Sequence, residues 1–135
     1  DLKPCGFKDK DVWFRGIADL IILDKDNKLA WVVDYKTGKS ARYADKGQLE
    51  LMALAVFIHF PEVKEVRGGL LFVVCKQLIT ETYSYCGHQS SLIDKYTNKF
   101  RQMIIASDSG VWNAKPSGLC RRHCDVVQCV HNGRN

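Results

Sequence analysis

No stretch of this 135-residue chain approaches the ~20 consecutive apolar residues that cross a bilayer. Its first residues also do not show the charged, apolar, small-residue order of a secretory leader. Both absences point to a soluble, intracellular protein with no membrane partner. The chain contains no low-complexity block, internal repeat or break in composition, so one domain over residues 1–135 is expected. Its parts are a lead-in at 1–12, a core at 13–109 and a Cys/His-rich tail at 110–135. A disorder signature is absent too, and 46% hydrophobic residues suffice for a packed core. The first residue is Asp, not Met, which suggests a domain cut from a longer chain, with upstream residues that matter.

Acidic residues are the scarcer charge. Twenty Lys and Arg against fifteen Asp and Glu leave a net charge of +5, a bias that favours encounter with a polyanion. Many basic domains never touch nucleic acid, so the bias gains weight only beside a site. The six cysteines come without a secretory context, which favours free thiols or a metal site over disulfides.

The informative stretch is Trp31-Val-Val-Asp-Tyr-Lys-Thr-Gly-Lys39, an apolar strand ending in charge. Asp34 and Lys36 are two apart and share a face of an extended strand, with Val33 and Tyr35 on the other. An Asp-x-Lys triplet alone also suits a strand ending in a solvated turn. The segment Trp13 to Leu23 supplies a second carboxylate at Asp19, and the polar Asp24 to Lys28 joins the two strands as a hairpin. If pairing is symmetric about Asp26-Asn27, facing residue numbers sum to 53 and Asp19 lies opposite Asp34. Opposed side chains stand roughly 4.5 to 5.5 Å apart at Cβ. Two carboxylates that close repel unless a cation lies between them, and hard oxygen ligands suit Mg²⁺ or Mn²⁺.

Asp45 to Phe60 reads as a helix stopped by Pro61, with Asp45 as N-cap and Gln48 as capping-box partner. Gln48 could equally project towards the carboxylates. The helix body, Leu49 to Phe60, is apolar nearly all round and should lie buried across a sheet. Gly68-Gly69 opens a third strand, Leu70 to Cys75. Leu78 to Tyr85 alternates as a fourth, with one wet face and an edge position. A second helix begins near Ser91 and buries Leu92, Ile93, Tyr96, Phe100, Met103 and Ile104, with Lys95, Lys99 and Arg101 towards solvent. The order hairpin, helix, strand pair, helix gives an α/β domain with a mixed central β-sheet flanked by helices.

Gly16-Ile-Ala-Asp19, Asp34-Tyr-Lys-Thr-Gly38 and Gln48-Leu-Glu-Leu-Met-Ala53 resemble the three consecutive motifs of the PD-(D/E)XK nuclease superfamily, in particular its RecB-like exonuclease branch. The resemblance is clear over residues 13–60, and the tail is similar to that of phage-encoded members. It implies a restriction-endonuclease-like core and a metal-dependent deoxyribonuclease, with exonuclease preferred over endonuclease. The substrate would be single-stranded DNA or DNA ends in phage recombination, repair or replication, and the site of action a host cytoplasm. It assigns catalysis to Asp19, Asp34, Lys36 and Gln48, and the metal to Asp19, Asp34 and the backbone carbonyl of Tyr35. Lys39, Arg42 and Tyr43 on the following loop are placed to hold phosphates or stack a base, or are simply solvated. Met52 departs from a Tyr that the family often carries. An N-terminal helix that contributes an acid or His in many members is not in this chain. The alternative reading is therefore a nucleic-acid-binding module that needs that helix, or a protein partner, for chemistry.

The tail packs Cys120, His123, Cys124, Cys129 and His131 into twelve residues. Cys120, Cys124 and Cys129 with one of the two His could hold Zn²⁺. In the resembling family a C-terminal Cys triplet joins an upstream Cys around a 4Fe-4S cluster, for which Cys5 is the one candidate here. Reduced cysteines packed as small apolar residues explain the same pattern.

Overall fold

In a computed structural model that describes residues 2–42 and 44–133, the hairpin forms from β1 (Leu20–Asp24) and β2 (Leu29–Lys36). Its partners, Leu20 with Val33 through Asp24 with Leu29, sum to 53, the register expected from a short polar turn. Asp24 shapes that turn by accepting hydrogen bonds from the backbone and side chain of Asn27 at 3.1 and 2.8 Å. β2 then passes into α1 (Gly47–His59), which returns the chain to β3 (Glu65–Phe72), parallel to β2. β4 (Gln77–Ser84) pairs antiparallel with β3 and closes the order β1-β2-β3-β4. The sheet is mixed, with β4 at an edge as its one wet face suggested. Packing divides the chain into two units, residues 1–98 and 99–135.

In the first unit the alternation of β2 decides which face is buried. Ala30, Val32 and Asp34 turn inward, in line with Val66, Leu70 and Phe72 of β3 and Tyr83 of β4. Leu49, Ala53, Val56 and Phe57 of α1 cover this face, and Leu92 and Tyr96 of α2 (Tyr85–Ser109) join the same cluster. Leu20, Ile22, Tyr35 and Leu78 of the sheet are exposed.

Gly68 sets how closely α1 approaches. A Cβ there would lie 3.1 to 3.4 Å from three side-chain atoms of Leu49, a residue with no exposed surface. Gly68→Ala should therefore overpack the interface and destabilise the fold by about 1–3 kcal/mol. An unchanged urea midpoint would show that Leu49 has room to move.

Several expected boundaries shift, each for a physical reason. Trp13 to Ala18 stay outside the sheet, because the Arg15 guanidinium is held by the carbonyls of Phe7 at 2.6 Å and Asp9 at 3.3 Å. β3 starts three residues before Gly68, so the glycine pair lies within the strand, with Gly68 against Leu49 of the helix and Gly69 against Leu78 of the sheet. α2 starts at Tyr85, six residues before Ser91, and Ser84 Oγ accepts the Gly87 N–H at 3.2 Å in its first turn. At 60% and 43% exposed, Met103 and Ile104 do not form the expected buried face.

In the second unit α3 (Gly118–Arg122) is capped by Ser117, whose Oγ accepts from Leu119 N at 3.3 Å while Cys120 Sγ accepts from Ser117 N at 3.4 Å. The tie in this tail is Asn132. Only 3% exposed, it donates through Nδ2 to the carbonyls of Cys124 and Val126 at 3.2 and 2.9 Å.

Candidate active site

The end of β2 places Asp34 inward beneath the first turn of α1, and three side chains close into a ring there. Lys36 Nζ lies 2.6 Å from Asp34 Oδ2 and donates to Gln48 Oε1 at 2.7 Å, while Gln48 Nε2 donates to Asp34 Oδ1 at 2.6 Å. The Asp34 side chain is 9% exposed and that of Lys36 34%. A carboxylate buried to this degree needs a compensating charge and donors, and the ring supplies both. Gln48 resolves its two sequence explanations in favour of the carboxylate. The N-cap is Lys46, with no side-chain capping bond, so the expected capping box is absent. Asp45 instead accepts from Gly47 N at 2.9 Å.

Asp19 stands one residue before β1, beside the end of β2. Its Oδ2 accepts the backbone N–H of Tyr35 at 2.8 Å, a side chain occupying the place of a strand partner where the ladder stops. That bond also fixes the Tyr35 peptide, which lies between Asp34 and Lys36.

Asp19, Asp34 and the Tyr35 carbonyl are all hard oxygen donors. Asp34 Oδ2 is buried and, among the described residues, receives no hydrogen bond of good geometry; the Lys36 ammonium neutralises it as an ion pair. A carboxylate oxygen with lone pairs to spare fits a hard divalent cation of the Mg²⁺ or Mn²⁺ type. Among the described residues no three His, Cys, Asp or Glu side chains come together as a metal group. The tail residues Cys120, His123, Cys124, Cys129 and His131, which could have held Zn²⁺, do not come together as such a group among the described residues. All six cysteines are free thiols.

Lys39 and Arg42 are exposed on the loop after β2, where Ser40 Oγ accepts from Arg42 N at 3.2 Å. They do not join the ring. Tyr43 lies outside the described residues.

A second cluster, not anticipated from sequence, lies against the same turn of α1. Tyr96 donates to Glu50 Oε2 at 2.7 Å and reaches the Gly47 carbonyl at 3.1 Å, while Lys95 Nζ lies 2.5 Å from the same Glu50 oxygen. Lys95 is thus engaged with Glu50 although it faces the solvent side. Lys46 pairs with Glu81 alongside. The signal available was Glu50 itself, a lone carboxylate inside a helix otherwise apolar nearly all round.

Burial, then the Glu50 and Glu81 carboxylates, push the Tyr83 hydroxyl up to about 12. Burial and the Glu50 hydrogen bond raise Tyr96 as well. Both phenols stay protonated in the fold while an unfolded tyrosine ionises near pH 10. Above that pH the unfolded chain holds fewer protons, so stability should fall as pH rises from about 10 towards 12. Urea midpoints measured upward from neutral pH should decline in that window, and Tyr96→Phe should flatten the decline.

A mixed sheet with a helix-covered carboxylate and a lysine at the end of its second strand fits the restriction-endonuclease-like class. The chain belongs to the PD-(D/E)XK nuclease superfamily, whose family model matches residues 2–129. No curated protein and no solved structure matches the chain. Membership implies nuclease activity on nucleic acid, for which the superfamily generally uses divalent metals. Among the described residues, no helix is long and apolar enough to cross a membrane.

Proposed function

We propose that this protein is a metal-dependent deoxyribonuclease of the RecB-like branch, acting as an exonuclease on single strands or DNA ends in phage recombination, repair or replication. The observation that carries the reading is the closed ring of Asp34, Lys36 and Gln48, with Asp19 fixed beside it on the Tyr35 backbone.

Asp19, Asp34 and the Tyr35 carbonyl would hold Mg²⁺ or Mn²⁺. A bound divalent cation would supply Lewis acidity, polarising a phosphoryl oxygen and making the attacking water more acidic. Lys36 directs that water towards phosphorus and offsets the negative charge that grows as the new P–O bond forms and the ester P–O bond breaks. Gln48 holds Lys36 through its amide oxygen and Asp34 through its amide nitrogen, so the ammonium keeps one orientation. Lys39, Arg42 and Tyr43 would meet the phosphate backbone or a base as the strand leaves the site.

The test is incubation of the protein with end-labelled single-stranded, duplex and flapped DNA in Mg²⁺, Mn²⁺ or chelator. Progressive shortening with either metal and none in chelator is expected, with activity restored on metal return. Binding without cleavage under every metal condition would overturn the reading in favour of a binding module.

A further inference from the structure

We propose that Tyr96, acting with Glu50, is a positioning residue for the site: it pins the first turn of α1 from α2 and so holds Gln48 on Asp34 and Lys36. The inference rests on the nuclease reading above. Its starting point is a helix start with little local support. Four N–H groups at any helix N-terminus lack intrahelical partners, and the N-cap here, Lys46, makes no side-chain capping bond. Asp45 Oδ1, which accepts from Gly47 N at 2.9 Å, is the side-chain support close in sequence, and Gln48 is the second residue of that turn.

Tyr96 supplies the missing restraint from a distance in sequence. It is 8% exposed, and its single hydroxyl proton is directed to Glu50 Oε2 at 2.7 Å, with the Gly47 carbonyl a second acceptor at 3.1 Å. Gly47 and Glu50 bracket Gln48. The fit at Gly47 is close, since a Cβ there would stand 3.5 Å from the Tyr96 hydroxyl and 3.0 Å from Asp45 Oδ1. Lys95, next to Tyr96 on α2, reaches Glu50 Oε2 as well, so one α1 carboxylate is held by two neighbours on α2. Gln48's own bonds, at 2.6 and 2.7 Å, leave little tolerance before they lengthen past useful geometry.

Tyr96→Phe keeps the ring and removes the hydroxyl. The readout is the Gln48 side-chain amide pair in a ¹H–¹⁵N spectrum, assigned as the pair missing from Gln48→Glu. In folded Tyr96→Phe this pair should move towards the position of a solvated glutamine. Single-turnover cleavage should fall about three- to tenfold, the loss of one hydrogen bond's restraint, with KM changed by less than about twofold. That fall should vanish in a Gln48→Ala background, because a residue acting through Gln48 has nothing left to position. An unmoved amide pair in folded Tyr96→Phe, or the same fold-loss in the Gln48→Ala background, would overturn the inference. If Tyr96→Phe does not fold, Glu50→Leu, which removes the carboxylate acceptor, is read by the same amide pair against the same criteria. The amide pair needs no cleavage, so a wild type that does not cut DNA counts against the nuclease reading alone.

Discussion

Lys36→Ala is expected to lower cleavage by about 10³-fold or more, roughly 4 kcal/mol of barrier, while DNA affinity stays within about threefold. The ammonium touches both Asp34 and Gln48, and in the proposed function it offsets charge at the reacting phosphate. A lysine at an inward-facing position beside a buried carboxylate would otherwise be better replaced by an apolar residue. Removing it leaves Asp34 Oδ2 buried with no cation, and a buried charge so left costs about 3–5 kcal/mol of stability. Activity must therefore be measured well below the variant's melting temperature. Cleavage at the wild-type rate would mean that Lys36 only balances the charge of Asp34.

Asp34→Asn carries the second large effect. The side chain keeps its size and can still accept from Gln48 Nε2, yet it loses the charge that a hard cation needs. Cleavage should again fall by about 10³-fold or more, and the thermal stabilisation of the wild type by Mn²⁺ should disappear. At 100 times the dissociation constant that stabilisation is about 2.7 kcal/mol, large enough to read as a shift in melting temperature. Without metal the variant should lose little, because Lys36 is 34% exposed and can turn its ammonium to water. A metal-induced shift as large as in the wild type would remove Asp34 from the ligand set.

The contrast between these residues and Tyr96 shows what the sequence could carry. Period-two alternation and a short polar turn are local, so the hairpin register and the common face of Asp34 and Lys36 are legible in the amino-acid sequence alone. Gln48 is legible as a residue but ambiguous as a role. A capping box is written within four residues, whereas its actual partners come from a strand more than ten residues upstream. Gly68-Gly69 reads as the opening of a strand until Leu49 is seen to need the space. Tyr96 looks like one more apolar position of a helix stripe, because the hydroxyl's partners sit on another helix. In the tail the density of cysteine draws attention from Asn132, whose two carbonyl acceptors no spacing rule would reveal. Motif order carried the family; tertiary contacts carried the support of the site.

The most direct measurement is a crystal of the protein soaked with Mn²⁺ and probed by anomalous scattering. The account predicts a peak bounded by carboxylate oxygens of Asp19 and Asp34 and the carbonyl of Tyr35, with Lys36 and Gln48 alongside, and no such peak in Asp34→Asn. A peak elsewhere on the chain, or one that persists in Asp34→Asn, would contradict it.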